Sequence, residues 1–126
     1  MTTEFPQVFS ERVGLTITEV EPGYSRGTLT VTDDLKNPHG MLHGAVLYTM
    51  ADTGMGAALS PELGEDEVCA TIELKINYLQ PVHDGDVTCE TILESRGKSI
   101  AYLESDLRQD DESVARATGS FSIFTP

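Results

Sequence analysis

Basic residues are scarce in this chain: eight Lys and Arg stand against 21 Asp and Glu, a net charge of −13. A field of that sign repels phosphate backbones and anionic bilayers, which argues against nucleic acid and membrane surfaces as partners. Long hydrophobic runs are missing too, since nothing approaches the roughly 18 to 20 apolar residues that a membrane span requires. The N-terminal stretch MTTEFPQVFSERVG has neither the basic n-region nor the apolar h-region of a signal peptide. Together these absences predict a soluble protein of the cytoplasm.

Cysteine is sparse as well. Cys69 and Cys89 are the two in the chain, without CxxC spacing and without a companion histidine arranged for zinc. The expectation is a pair of buried free thiols, with no metal site and no cofactor. Repeats, low-complexity segments and linkers are also lacking. At 126 residues, with 39% apolar and 23% charged residues, the chain is long enough for one real core and too short for two, so residues 1–126 form a single domain.

What is abundant is acid, spread along the chain rather than gathered in a tail. Three of the eight bases are lysine, at Lys36, Lys75 and Lys98. Such a surface suits molar salt, where the Debye length falls to about 3 Å and self-repulsion is screened. The composition therefore points to a halophilic, acidic proteome.

Along the chain, Phe5, Val8 and Phe9 form the apolar face of a short helix in the first dozen residues. From Gly14 the period changes to two: LTITEVEPGYSRGTLTVTDD alternates around EPG, the signal of a hairpin. The loop LKNPHGM leads into a long apolar segment. ATIELKINYL then places Ile72, Leu74, Ile76 and Tyr78 on one face and Thr71, Glu73, Lys75 and Asn77 on the other. After the turn QPVHDGD, in which His83 is solvated, the remainder reads as three strands broken at RGK and QDDES. The order is short helix, two strands, long helix, four strands, so the class is α+β with one antiparallel sheet. A helix apolar on most faces must be wrapped, and the sheet has to curl around it.

Residues 37–54, NPHGMLHGAVLYTMADTG, carry the chemistry. Pro38 biases Asn37 to an extended backbone and Gly40 permits the turn that follows. His43 and Gly44 then stand at the helix start, where backbone N–H groups lack acceptors and the macrodipole favours negative charge, an oxyanion site made from backbone. Glycine at 44 lets a ligand approach closely. Deeper in the helix, Asp52 is a carboxylate in an apolar setting, and an ionised carboxylate without partners is costly to desolvate. Thr49, Asp52, Thr53 and Gly56 fall on one stripe, which faces either solvent or a cleft or partner subunit.

Asp52 lies eight residues beyond Gly44, about 12 Å along the helix axis at 1.5 Å per residue. A base and an oxyanion donor serving one carbonyl must each be within roughly 3 to 4 Å of the reacting atoms or a bridging water. One helix cannot do both jobs, but two copies related by a two-fold axis can. A catalytic Asp52 therefore requires at least a dimer. His39 and His43 have the spacing of a helical metal pair, yet Pro38 and Gly40 keep that segment out of a helix.

The pattern N-x-x-G-x-x-H-G-x, an Asp nine residues after the His, the strand TIELKINYLQP and the turn SRGKS together resemble the hotdog-fold acyl-CoA thioesterases. The likeness is to the phenylacetic-acid-degradation branch, related to the 4-hydroxybenzoyl-CoA thioesterases, and it runs from the first hairpin to the final strand. It implies a curled antiparallel sheet around one central helix, dimers joined sheet edge to sheet edge, and a homotetramer built from two of them. Carried over by position, Asp52 resembles the carboxylate that activates water or attacks the thioester itself. Gly44 resembles the N–H donor to the thioester carbonyl, with His43 and Asn37 placing substrate and water and Thr71 helping to hold that water. Arg96, Gly97 and Lys98 resemble the turn near the coenzyme A phosphates, and Thr53 and Met50 join the acyl-CoA site, with Met55 and Leu59 in the tunnel wall. The usual His-Gly-Gly is here His-Gly-Ala, with Ala45 in third place. Two other readings stay open: a hotdog hydratase or dehydratase of acyl thioesters, and a non-catalytic acyl-CoA-binding domain.

Overall fold

The computed structural model describes residues 8–126. Helix α1 (Val8–Val13) leads into a hairpin of β1 (Thr16–Glu21) and β2 (Tyr24–Thr30); a 3-10 turn at Asp33–Leu35 and the glycine-containing loop precede α2 (Gly44–Leu59). A second 3-10 turn, Ser60–Glu62, is followed by β3 (Val68–Tyr78), β4 (Asp86–Arg96), β5 (Ile100–Gln109) and β6 (Glu112–Phe124). The strands make one antiparallel sheet in the order β1-β2-β4-β5-β6-β3. The two edges are therefore β1 and β3. No helix among the described residues is long and apolar enough to cross a membrane.

The sheet curls over α2, which turns Val46, Leu47, Met50, Ala51, Gly54, Met55, Ala58 and Leu59 into it. These fall at helical intervals of three and four, so they form a single buried face. Leu29, Val87, Cys89, Ala101, Leu103, Leu107, Ala115 and Phe121 meet them from alternate positions of the strands. Thr49, Asp52, Thr53 and Gly56 lie half-buried on the other side of the helix. Within one chain, then, the helix is covered on one face and its polar stripe is left at the rim.

Helix and sheet approach each other closely at Gly54. A Cβ there would lie 2.9 Å from Thr91 Oγ1 and 3.4 Å from Ser25 Oγ. The Ser25 hydroxyl donates to the Gly54 carbonyl at 2.6 Å, and Thr91 and Ser105 share a hydrogen bond of 2.6 Å beside it. These three buried hydroxyls are thus satisfied where the helix backbone settles onto the sheet. Gly54→Ala is expected to cost about 1–3 kcal/mol through overpacking, measured by urea unfolding. Gly56, whose Cβ would meet nothing within 4 Å, is the control: Gly56→Ala should be neutral or mildly stabilising.

Strand β3 departs from the uninterrupted alternation expected of it. Its register against β6 slips between Thr71 and Glu73, opposite Phe121 and Ser120. Ile72 is the extra residue of this bulge and is 55% exposed. Bulges leave one residue unpaired and re-aim its neighbours. Thr71 consequently points to the helix side, while Leu74 and Ile76 remain against the core.

At the N-terminus, Phe5 and the side chain of Val8 lie outside the described residues. Phe9 is 66% exposed rather than packed. The six-residue α1 instead turns Ser10 inward and rests Val13 on the core, so this short helix carries less apolar face than its sequence suggests.

Candidate active site

The loop before α2 is organised by Asn37. Its backbone N–H donates to Met41 O at 2.7 Å, its carbonyl accepts from Gly40 N at 3.0 Å, and Gly40 takes the left-handed φ of +81° that such a turn demands. The Asn37 Oδ1 accepts from His39 N at 2.9 Å and from Met41 N at 3.1 Å. With the oxygen committed to the loop, the amide Nδ2 hydrogens are left for another acceptor. Asn37 is thus first a fastening for the loop and second a donor at its surface.

His43 caps α2. Its Nδ1 accepts from Ala45 N at 3.2 Å, so the proton of the neutral ring sits on Nε2. Alanine at 45 therefore leaves the helix start intact, because its N–H is held by the cap. The Gly44 N–H has no acceptor among the described residues, as the first N–H of a helix has none of its own. It remains available to a ligand.

Tyr78 is the group that sequence reasoning missed. Its hydroxyl donates to the Gly44 carbonyl at 2.8 Å, and its ring occupies the space a Gly44 side chain would need: a Cβ there would stand 2.9 Å from Tyr78 Cζ. Glycine at 44 is therefore demanded by packing within the chain, a reason for it besides the close approach of a ligand. The available signal was a tyrosine on an apolar strand face, whose hydroxyl needs a partner when covered. Asn37, Met41, Gly44, Leu47, Tyr78 and Val82 line a cavity of about 360 Å³ at this end of the helix.

Asp52 belongs to a separate group. Its Oδ1 accepts from the Thr71 hydroxyl at 2.7 Å, a contact that exists because the bulge turns Thr71 inward. Burial pushes the Cys69 thiol up, and the charge of nearby Asp52 adds to the effect. Burial pushes the Cys89 thiol up to about 11. Both cysteines are free, Cys89 buried and Cys69 half-buried, and a raised pKa leaves little thiolate for nucleophilic attack.

The remaining expected residues are dispersed. Arg96 is occupied: Nη1 donates to Gly97 O at 2.6 Å and Lys98 O at 3.3 Å, and Nη2 to Glu67 Oε1 at 2.6 Å and Glu62 O at 3.4 Å. Glu67 also accepts from Gly64 N at 2.7 Å; that bond, with the guanidinium beside it, holds its carboxyl below the usual range. Arg96 thus clamps the β4–β5 turn to the segment after α2, a correction to the expected phosphate contact. Lys98 is exposed, and its side chain makes no hydrogen bond or ion pair among the described residues. Met50, Met55 and Leu59 are fully buried beneath the sheet, so the expected acyl-tunnel wall is core instead. Their helical period is shared by core and tunnel, which is why the sequence did not separate them. Thr53, with Gly56 and Ala57, lines a groove of about 750 Å³ between α2, α1 and β1. Among the described residues, no group of three or more His, Cys, Asp or Glu is gathered as for a metal ion.

A family model described as the thioesterase superfamily matches residues 39–115. The chain is 28% identical over 104 residues to a 1,4-dihydroxy-2-naphthoyl-CoA hydrolase of Listeria monocytogenes, covering 82% of this chain and 85% of the relative. It is 27% identical over 112 residues to the acyl-coenzyme A thioesterase PaaI of Escherichia coli, covering 87% and 78%. Among solved structures, a conserved protein of Pseudomonas aeruginosa superposes with a TM-score of 0.88 at 32% identity, over 94% of this chain and 95% of that one.

Proposed function

The chain belongs to the thioesterase superfamily, and from that premise we propose that it hydrolyses acyl-CoA or aryl-CoA thioesters in a site shared between two copies. The observation that carries this reading is the division of labour along α2. The Gly44 N–H, without an acceptor, stands at the helix start, and the Asp52–Thr71 pair stands about two turns further on. Neither half is sufficient within one chain. Gly44 of one copy donates to the thioester carbonyl oxygen, and Asp52 of the other takes a proton from the attacking water, or adds to the carbonyl itself. Thr71 holds the carboxylate so that one oxygen is committed and the other faces the substrate.

In the water route, the water oxygen bonds to the acyl carbon, the carbon–sulfur bond breaks, and the proton held by Asp52 passes to the departing thiolate. The products are the free acid and coenzyme A. A thiol ionises near pKa 8.5, so the leaving group needs little help from a strong acid. Lys98, exposed on the β4–β5 turn, is the base offered to the coenzyme A phosphates, with Gly97 beside it, and Thr53 faces the groove along α2. Thiolate chemistry at Cys69 plays no part.

Release of free thiol from short acyl-CoA and aryl-CoA substrates tests the proposal. Hydrolysis with turnover is expected; binding without release identifies an acyl-CoA-binding domain. Loss of crotonyl-CoA absorbance without free thiol identifies a hydratase.

A further inference from the structure

The successive backbone N–H groups of residues 42 to 45, at the head of α2, differ in one respect. Leu42 N–H donates to Val82 O at 2.7 Å, His43 N–H to Leu35 O at 2.9 Å and Ala45 N–H to His43 Nδ1 at 3.2 Å, which leaves Gly44 without an acceptor among the described residues. A donor favours a developing oxyanion only if its direction is settled beforehand. We propose that Tyr78 is the positioning residue that settles it: its hydroxyl holds the Gly44 carbonyl and its ring fills the space beside Gly44, so that the free N–H stays aimed at the thioester oxygen. The proposal rests on the hydrolase reading above and gives its amide half a residue on β3.

Tyr78 stands on a fixed support. Leu79 N and Gln80 N both donate to Val114 O, at 2.8 and 3.1 Å, and fasten the end of β3 to buried Val114 on β6. From there the hydroxyl reaches Gly44 O at 2.8 Å, and Val82, a little further on, accepts the Leu42 N–H. Residues 78–82 thus grip the chain on both sides of the donor. The Gly44 carbonyl and the Ala45 N–H belong to one planar peptide, and that peptide is held at its oxygen by Tyr78 and at its N–H by His43. Glycine is the residue with most backbone freedom to lose. The clamp removes it where the donor is needed.

The bulge brings Tyr78 to the helix. Thr71 and Tyr78 are seven positions apart, an odd interval that sets side chains on opposite faces of an uninterrupted strand. Directly opposed residues of an antiparallel pair share a face. Thr71 pairs with Phe121 and Tyr78 with Ala115, both buried, so the extra residue at Ile72 has put the two on the inner face together. One strand therefore holds both halves of the chemistry, Asp52 through Thr71 and Gly44 through Tyr78.

Core packing does not account for this tyrosine. Its side of the strand end is open, with 52% of the residue exposed, and the apolar area it buries is correspondingly small. Burial of the hydroxyl, with Tyr48 nearby, pushes its pKa above the ordinary tyrosine range. It stays a protonated donor at working pH and transfers no proton.

Tyr78→Phe, which keeps the ring and removes the hydroxyl, tests the proposal in the full chain. Free-thiol release is expected to show kcat lowered about tenfold, with KM and the urea midpoint little changed, because the oxyanion exists only in the transition state. The factor should be constant from about pH 6 to 9, since no proton carrier has been removed. A second readout follows the donor itself. An acyl-CoA or aryl-CoA thioester, isotope-labelled at the carbonyl carbon and bound to the Asp52→Asn chain, should show its infrared carbonyl stretch below the frequency in water; adding Tyr78→Phe should return it part of the way. An unchanged kcat, a rise in KM alone, a factor that varies with pH, an unmoved carbonyl stretch or a chain that no longer folds each overturns the proposal. The hydrolase reading fails separately. A chain that binds the thioester without releasing thiol removes hydrolysis, and the carbonyl stretch, measured with and without Tyr78→Phe, then decides the positioning role alone. Neither binding nor release overturns both.

Discussion

Asp52→Asn is expected to lower kcat by about 10²- to 10⁴-fold, the usual contribution of a general base or nucleophile, with little change in KM. Asparagine keeps an oxygen to accept the Thr71 hydroxyl bond of 2.7 Å, so the side chain stays in place and only its basicity is removed. The position is half-buried on the rim of α2 rather than beneath the sheet, and the urea midpoint should therefore move little. A variant that folds as well and hydrolyses as fast would remove Asp52 from the chemistry.

A second large effect is expected when two inactive variants are combined. Asn37→Ala releases the His39 and Met41 N–H groups from Oδ1 and unfastens the loop leading to His43 and Gly44. That variant spoils the amide half of the site; Asp52→Asn spoils the carboxylate half. In a hybrid dimer one site receives both lesions and the other receives none. Random exchange makes about half the dimers hybrids, so roughly a quarter of normal activity should return on mixing. Persistent inactivity, with exchange demonstrated by labelled subunits, would place both halves in one chain.

The fold was legible because its signals are local and repeated. EPG between alternating strands, the breaks at RGK and QDDES, and one long apolar segment suffice for six antiparallel strands and a single long helix. Loop conformation was legible for the same reason: Pro38 and Gly40 restrict their own backbone, and Gly40 takes the positive φ expected of it. Contacts across the fold were harder to read. The bulge at Ile72 has no glycine or proline to announce it, and it alone decides that Thr71 turns to Asp52. Arg96 reads as a free base beside Lys98 until Glu67, 29 residues away, comes to meet it. Met50 failed differently, since a greasy residue on a helix satisfies a core and a substrate tunnel equally well.

The ring of Tyr78 over Gly44 ties the two positions together. Backbone at the head of α2 and aromatic surface at the end of β3 fill one space, so neither can enlarge alone. Drift at these two sites must then be concerted: a chain that acquires a side chain at 44 has to surrender bulk at 78, and with it the hydroxyl that steadies the first turn. The two positions are thus coupled by direct contact, although 34 residues separate them in sequence.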